Sequence, residues 1–328
     1  MIANGFQVSK GHNNLKQYSA VGAELPMSAE LPGGNLRMPD NPQKIVCIGD
    51  VHGYCDRLKS LLAHLRAKLS DFEDHLVVFL GDYVDRGPDS RQTLDFLIEC
   101  RVQLKNAVFL AGNHEYALMG FLGILPDDRP SYADTWSDES VFFRGAFEKQ
   151  LLYTGPGYET MHLQGRRYRL YSPQNTFASY GVPYMDRDAL LTAMPQSHKD
   201  FLRGLSWVHE IPGYVFVHAG LEDTGVSPCH MGLAEQLQLL RDRSCIFRVE
   251  PLSGREGVLH NVPDLIAGRT CLVSGHHASV HFGPYRVVMD ESGGKDDCRL
   301  AAVILPSALI VYHTGDSEQV DSKRIFPD

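Results

Sequence analysis

Short apolar runs alternate with helical segments from Lys44 onward. The first run is Ile45–Ile48, and similar runs occupy Leu76–Leu80 and Ala107–Leu110. The segment after the first run carries leucines at steps of three and four, namely Leu58, Leu61, Leu62, Leu65 and Leu69. Asp89 opens a second helical segment, which carries Leu94, Leu97 and Ile98. This alternation predicts βαβ units built on a buried, largely parallel sheet.

The second half of the chain is less regular. Tyr214–Val217 and Cys271–Val273 are predicted to be short buried strands, with a helix between them that carries Leu233, Leu237 and Leu240. The apolar stretch Leu300–Tyr312 is broken by Pro306 and Ser307, so it predicts two core strands joined by a turn. Residues from about 120 to 194 contain many aromatics and glycines but little periodicity. They are interpreted as an insertion over one face of the sheet, where substrate specificity often resides.

Residues 1–43 are rich in Gly, Asn, Ser and Pro, a composition that predicts a flexible N-terminal arm. No linker divides the rest, so residues 44–328 are predicted to form one domain. The net charge of -9 argues against nucleic-acid and membrane partners. The seven scattered cysteines favour reduced thiols. Without a signal peptide or spanning segment, the expected location is cytoplasmic, with a nuclear pool left open.

Five predicted strands run directly into loops that carry potential metal ligands. In chain order these loops are Gly49–Gly53, Gly81–Gly87, Gly112–Glu115, His218–Gly220 and Gly275–His277. Side chains that follow parallel strands converge at one edge of a sheet, where open α/β proteins bind ligands. Carboxylate, imidazole and amide donors together favour Mn, Fe or Zn. The pattern therefore predicts a metal site at this edge.

These loops read G-D-x-H-G, G-D-x-V-D-R-G, G-N-H-E, H-A-G and G-H, in that order. The chain resembles the phosphoprotein phosphatase branch of the metallophosphoesterase superfamily. Within that branch it is similar to the Rhizobiales-like phosphatases, a bacterial-type group also found in plants, through Met161–Arg167, Ser179–Pro183 and Trp207–Glu210. The resemblance implies an α/β fold, a β-sandwich of two mixed sheets flanked by helices.

The resemblance also implies two divalent metal ions, Mn²⁺ in vitro with Fe or Zn as alternatives. Asp50 and His52 would bind the first ion, and Asp82 would bridge the pair. The ligands of the second ion would be Asn113, His218 and His276. In such enzymes a metal-bridged hydroxide attacks phosphorus in line, and no covalent phospho-enzyme forms.

Catalytic roles follow from the same resemblance. His114 would be the general acid, oriented by Asp85, and Arg86 would bind phosphate oxygens. A second phosphate arginine is expected before the last metal histidine. Arg255 is chosen because it precedes Gly257 and Val258 as the family arginine precedes its Gly-Val.

Four other arginines bear on substrate binding. Arg241 and Arg243 are rivals of Arg255, although a surface salt bridge is the commoner role for such residues. Arg166 and Arg167 lie in the predicted insertion and are candidates for substrate binding there.

The predicted function is phosphoprotein phosphatase, acting on a phosphoprotein or phosphopeptide, with a preference for phosphotyrosine. A dinucleoside polyphosphate hydrolase, which shares the metal loops, is one alternative. A catalytically silent phosphoprotein-binding scaffold is another, although all six metal ligands are intact. A cysteine-dependent phosphatase is excluded because no cysteine has an arginine six positions on. Asp290–Lys295 replaces the Ser-Ala-Pro-Asn-Tyr loop of eukaryotic members, so no regulatory subunit is inferred.

Overall fold

Two mixed β-sheets stack face to face, and helices pack on their outer faces. The computed structural model describes residues 43–125, 161–163, 166–168, 172–221, 232–243, 256–263, 266–268, 270–291 and 294–327. The strands, in chain order, are β1 Ile45–Ile48, β2 Leu76–Phe79, β3 Ala107–Phe109, β4 Met161–Leu163, β5 Arg166–Tyr168, β6 Val208–Ile211, β7 Tyr214–Val217, β8 Cys271–Ser274, β9 Val280–Gly283, β10 Arg286–Met289, β11 Ala301–Leu305, β12 Leu309–Tyr312 and β13 Ser317–Gln319. The helices are α1 Cys55–Lys68, α2 Ser90–Gln103, α3 Asn113–Leu122, α4 Gln174–Ser179, α5 Arg187–Ala193, α6 Gln196–Arg203, α7 Leu233–Asp242 and α8 Glu256–Leu259.

The first sheet has the strand order β13-β12-β11-β1-β2-β3. Strands β1, β2 and β3 are parallel, with Ile45 opposite Leu76. The other neighbours are antiparallel, and Ile45 also lies opposite Leu305 of β11. The parallel half comes from two βα crossovers, through α1 and α2, and the antiparallel half is added by the C-terminal strands.

The second sheet has the order β6-β7-β8-β10-β9. Its three central strands, β7, β8 and β10, are parallel, and both edge strands are antiparallel to their neighbours. Strands β4 and β5 form a separate two-stranded hairpin.

The apolar runs are continuous because the central strands are covered on both faces. In β1, Ile45 and Cys47 join the core between the two sheets, to which the second sheet contributes Phe216 and Val273. Val46 joins the core beneath the helices instead. A strand that is covered on both faces of its sheet has apolar residues at every position. A strand with one face in solvent would instead alternate between apolar and polar residues.

The fold class predicted from the sequence is confirmed, with corrections in detail. In the first sheet only β1, β2 and β3 are parallel, because β11 and β12, joined by a turn at Pro306 and Ser307, are antiparallel to their neighbours. The sequence also placed Asn113 in a loop, but helix α3 begins at this residue. Within the predicted insertion, helices α4 and α5 were not foreseen.

The domain assignment stays a prediction. The described residues all fall within one compact unit, Leu36–Asp328, and residues 1–42 of the predicted arm lie outside the described part. No described helix combines the length and apolar character that crossing a membrane requires. The described cysteines are free thiols: Cys47, Cys55, Cys100, Cys271 and Cys298.

Candidate active site

The predicted ligand loops meet where parallel strands of both sheets end. Asp50, Asp82 and Asn113 follow β1, β2 and β3 of the first sheet, and His218 and His276 follow β7 and β8 of the second. The sequence predicted convergence at the edge of one sheet, whereas the structure brings two sheets to the same place. Backbone bonds join the first two loops: the N–H groups of residues 51 and 52 donate to the carbonyl of residue 82 at 3.0 and 2.8 Å.

Two buried groups of side chains could each hold a metal ion. One comprises His52, Asp82 and His114, and the other comprises Asp82, His218 and His276. Within each group the possible ligand atoms lie within 4.8 Å of one another. Asp82 belongs to both groups, the arrangement expected of a bridging carboxylate. Buried imidazoles and carboxylates are donors suited to a first-row transition metal, so the residues present fit a two-metal centre.

The remaining two predicted ligands lie beside these groups. Asn113 Oδ1 is 3.3 Å from His218 Nε2, and Asp50 Oδ2 is 3.8 Å from His52 Nε2. All six predicted ligands are therefore brought together, and all six are buried. His114, predicted to be the acid rather than a ligand, is nevertheless close enough to join the first group.

A third carboxylate, Asp290, completes the acidic centre. It is 1% exposed, at the end of β10, and burial together with the charges of Asp290 and Asp82 raises the pKa of Asp50 well above its usual range. Repulsion among buried carboxylates would be offset by bound cations. Sequence reasoning missed Asp290, although it follows a buried strand just as the predicted ligands do.

The histidines and Asp82 shift one another's pKa. Burial alone would raise the pKa of Asp82, but His218, His114 and His52 hold it well below its usual range. Burial opposes the charge on His218, yet Asp82 raises the pKa of its imidazole. Burial and the charge of Arg86 lower the pKa of His52, which favours the neutral imidazole, the form that binds metal.

The proposed acid pair is closely assembled. His114 Nδ1 lies 2.7 Å from Asp85 Oδ2, and both side chains are fully buried. Arg86 Nη2 is 3.1 Å from His114 Nε2, and Nη1 is 2.9 Å from His52 Nε2. Because Asp85 accepts at Nδ1, the Nε2 atom of His114 faces the metal-ligand groups and Arg86.

The site backbone is strained in the way that functional loops often are. His52, Asp82, Asp85, Arg86 and His276 have φ values of +45°, +53°, +70°, +62° and +71°. Such conformations cost about 1–3 kcal/mol each in non-glycine residues and persist only where surrounding contacts hold them.

Close approach to Asp82 explains the glycine of G-N-H-E. A Cβ at Gly112 would lie 2.0 Å from Asp82 Oδ1. At the start of α3, the backbone N–H of His114 donates a hydrogen bond to the same oxygen at 3.0 Å. A side chain at position 112 would therefore displace the shared carboxylate.

Of the five arginines considered for substrate binding besides Arg86, the structure describes the side chains of Arg241 and Arg243. Arg255 lies outside the described residues, and Arg166 and Arg167 belong to β5 with side chains outside the described part. Arg241 forms a two-bond ion pair with Glu210, at 2.7 Å for each bond. Arg243 donates to the carbonyl of residue 203 at 2.7 Å. The rivals of Arg255 thus have structural partners of their own.

Two further contacts with the site were not predicted. Thr176 of α4 donates its hydroxyl to Asp85 Oδ1 at 2.6 Å. Gly294, with φ +70°, packs on His52 so closely that a Cβ would lie 2.6 Å from the imidazole. Neither residue lies beside a ligand motif in sequence, so only the folded chain reveals these contacts.

A two-sheet sandwich with paired His/Asp groups at its strand ends defines a metallophosphoesterase. The profile of the calcineurin-like phosphoesterase family matches residues 43–289, and the chain belongs to this family. The curated relatives include serine/threonine-protein phosphatase SIT4 of Candida albicans, 31% identical over 109 residues, which are 33% of each chain. The predicted metallophosphoesterase family is thereby confirmed, the similarity to SIT4 supports the phosphoprotein phosphatase branch, and the Rhizobiales-like assignment stays a prediction.

Another relative is the asymmetrical bis(5'-nucleosyl)-tetraphosphatase PrpE of Oceanobacillus iheyensis. It is 37% identical over 76 residues, 22% of this chain and 30% of that protein. The chain therefore covers only about a third of these curated relatives. The solved cold-active protein-tyrosine phosphatase of a psychrophilic Shewanella species has a TM-score of 0.51 and 16% identity, covering 85% of this chain and 80% of that one. That likeness supports the fold alone.

Proposed function

We propose that this chain is a dinuclear-metal-dependent phosphatase that hydrolyses phosphomonoesters on proteins. The observation that carries the proposal is the position of Asp82, shared by two buried metal-ligand groups beside the His114–Asp85 pair. Family membership supplies the general chemistry, phosphoester hydrolysis. The similarity to a serine/threonine-protein phosphatase supports a phosphoprotein or phosphopeptide as substrate.

The six buried ligands would hold two divalent ions, with Mn, Fe or Zn favoured by the donor set. When bound, such ions polarise phosphoryl oxygens and lower the pKa of the attacking water. Asp82 is common to the group with His52 and the group with His218 and His276. Asp50 lies beside His52, and Asn113 lies beside His218.

Proton transfer to the leaving oxygen is assigned to His114. Asp85 accepts the Nδ1 proton, so Nε2 is the atom that donates when the imidazole is protonated. Arg86 has its guanidinium beside Nε2, where its planar donors suit two phosphate oxygens. Arg255, Arg166 and Arg167 remain proposed contacts with substrate.

The preference for phosphotyrosine is a finer part of the proposal. It is supported by the sequence resemblance to the Rhizobiales-like group. A tyrosyl phosphate extends further from the peptide backbone than a threonyl phosphate, so it requires a deeper pocket.

A second candidate substrate is a dinucleoside polyphosphate. It is favoured by the similarity to a bis(5'-nucleosyl)-tetraphosphatase, which is 37% identical to this chain over 76 residues. A silent scaffold is disfavoured because all six ligands and His114 are retained and buried together.

The test is hydrolysis by purified protein with Mn²⁺. Matched phosphotyrosyl and phosphothreonyl peptides are compared with a dinucleoside tetraphosphate, using His114→Asn as the mechanistic control. Faster tyrosyl release that is lost in the variant supports the whole proposal, whereas equal peptide rates remove the tyrosine preference. Cleavage of the dinucleotide alone would favour the second candidate.

A further inference from the structure

Helix α4 brings a buried hydroxyl to the proposed acid pair. Thr176 is fully buried, and its Oγ1 lies 2.6 Å from Asp85 Oδ1. The other carboxylate oxygen, Oδ2, lies 2.7 Å from His114 Nδ1. Thr176, Asp85 and His114 therefore form one continuous chain of hydrogen bonds that ends at the atom facing the metal-ligand groups.

The direction of each proton in this chain follows from chemistry. A carboxylate can only accept, so the Thr176 hydroxyl donates to Asp85. Ser90 Oγ lies 2.8 Å from Thr176 Oγ1 and must then donate its own proton to that oxygen. The backbone N–H of Asp85 donates to both hydroxyls, at 3.0 Å to Ser90 and 3.1 Å to Thr176. Asp85 is thus held at its backbone and at its carboxylate.

Asp85 needs this support because its backbone is unfavourable. Its φ of +70° lies in the left-handed region, where a non-glycine residue persists only if its surroundings hold it. A carboxylate that orients an imidazole must also keep a fixed rotamer, because the hydrogen bond sets the direction in which the ring points.

The same segment supports Arg86. Asn175 Nδ2 donates to the Arg86 carbonyl at 2.8 Å, and the Arg86 N–H donates to the Ser172 carbonyl at 3.1 Å. Residues 172–176 therefore hold the loop that carries both the orienting aspartate and the proposed phosphate arginine.

Helix α4 is itself fixed to the core. The Arg91 N–H donates to Ser179 Oγ at 3.2 Å, which joins α4 to α2. The buried His198 lies between Tyr180, 2.6 Å from its Nδ1, and Asp95, 2.7 Å from its Nε2. Contacts with neighbouring helices therefore hold in place the helix that carries the Thr176 hydroxyl.

We propose that Thr176 is a positioning residue for the proposed general acid. Its hydroxyl fixes Asp85, Asp85 holds the Nδ1 proton of His114, and Nε2 is thereby aimed at the leaving oxygen. The inference rests on the proposed phosphatase function and deepens it, because it extends the acid pair to a third residue supplied by the predicted insertion.

The decisive experiment compares two aryl phosphates of similar shape, phenyl phosphate and 4-nitrophenyl phosphate. Phenolate is the stronger base, so its departure depends more on proton donation than that of nitrophenolate. Thr176→Val removes the hydroxyl and keeps the shape of the side chain. We expect kcat/KM for phenyl phosphate to fall about 10-fold, and that for 4-nitrophenyl phosphate to fall about twofold.

Two control variants separate positioning from packing. Thr176→Ser restores the hydroxyl and is expected to recover the rate on phenyl phosphate. Thr93→Val removes a buried hydroxyl that bonds within its own helix, to the Asp89 carbonyl at 2.8 Å, and should change neither rate. If thermal melting shows that Thr176→Val is unfolded, Thr176→Ala removes the same hydroxyl with less steric demand.

The outcomes distinguish the inference from the function on which it rests. Equal losses on both esters in a folded Thr176→Val or Thr176→Ala variant overturn the positioning role and leave the phosphatase function intact. Failure of Thr176→Ser to recover phenyl phosphate hydrolysis also overturns it. If the wild-type protein cleaves neither ester, the proposed function fails and the inference fails with it.

Discussion

Glu115 is a single buried carboxylate that organises the second ligand loop. It accepts the N–H groups of Gly112 at 2.9 Å and Asp82 at 2.8 Å, and those of the two residues after Asp82 at 2.6 and 3.2 Å. Burial, opposed by these donors, raises its pKa to about 7. One side chain thus joins the start of α3 to the loop that holds the shared ligand.

Glu115→Gln is expected to destabilise the protein by about 3 kcal/mol. A glutamine offers one acceptor oxygen and directs an NH₂ group at backbone donors, which leaves buried N–H groups without partners. Equilibrium unfolding in urea measures the loss. Glu73→Gln is the matched control, because Glu73 is half-exposed in a surface pair with Arg66, and a change of only about 0.5 kcal/mol is expected. Equal losses in the two variants would contradict this role.

Some residues of the site could be predicted from the sequence and others could not. The ligands could be predicted because each stands directly after an apolar run, as Asp50 and His276 do. Thr176 could not, because 91 residues separate it from Asp85 and the contact depends on how α4 docks. Asp290 also follows directly after a buried strand, but it lies outside the five metal-loop motifs.

At the scale of elements, helix α1 holds a loop against the metal-ligand groups. Arg57 donates to the carbonyls of Lys295 at 3.0 Å, of residue 296 at 2.6 Å and of residue 298 at 2.9 Å. Its guanidinium also lies 3.9 Å above the centre of the Tyr54 ring. The loop 294–298 is thereby fixed where Gly294 contacts His52.

Arg57→Ala should loosen this loop without unfolding the domain. Loss of three backbone acceptor contacts frees residues 294–298, so their amide hydrogens should exchange faster with solvent. Hydrogen exchange followed by mass spectrometry measures the change. Arg66→Ala, on the same helix, removes a surface pair with Glu73 and a contact with the Phe72 ring, neither of which involves the loop, and should leave the exchange of the loop unaltered. Unchanged protection in the Arg57 variant would show that other contacts hold the loop.

A second element-scale link is the buried Arg286 of β10, which is 1% exposed. Its Nη2 donates to the Ala219 carbonyl at 3.1 Å and to Ser274 Oγ at 2.8 Å. Its Nε donates to the Leu259 carbonyl at 3.0 Å. The loop after His218, strand β8 and helix α8 therefore share one guanidinium.

Arg286→Lys is expected to cost about 3 kcal/mol, because an ammonium has three donors and cannot reproduce the planar fork. Thermal or urea unfolding measures the loss. Arg299→Lys provides the comparison, since Arg299 contacts Glu291 and the Tyr312 ring but is 40% exposed, so that solvent can replace its lost contacts and the loss should be smaller. A neutral Arg286→Lys variant would contradict the assigned role.

Strands and helices could be predicted from the sequence where the spacing of apolar residues matches the faces that are buried. The strands β1, β2 and β7 are short and apolar throughout, β8 is apolar except for its last residue, Ser274, and α1 has a clear apolar stripe. Helix α3 was missed because all ten of its residues are buried, which removes the amphipathic period. The antiparallel β11 was not foreseen because strand direction depends on which neighbour a strand joins.

At the scale of the whole molecule, the metal-ligand groups join the two sheets. Asp82 comes from the first sheet, and His218 and His276 come from the second, yet their ligand atoms lie within 4.8 Å of one another. Ions that bind only the folded arrangement stabilise it by mass action. Because the potential ligands come from both sheets, bound ions would link the two sheets and stabilise the sandwich.

Metal removal should accordingly lower the melting temperature. With Mn²⁺ at 100 times its Kd, the expected stabilisation over chelator-treated protein is about 2.7 kcal/mol for each bound ion, since the ions bind the folded state alone. Differential scanning calorimetry across a Mn²⁺ titration measures it. His276→Ala removes a donor of the second sheet and should lose much of the response, whereas His64→Ala, a partly exposed residue of α1, should keep it. An equal metal response in His276→Ala and wild type would show that the second sheet does not hold the ion, and the link between the sheets would have to be abandoned.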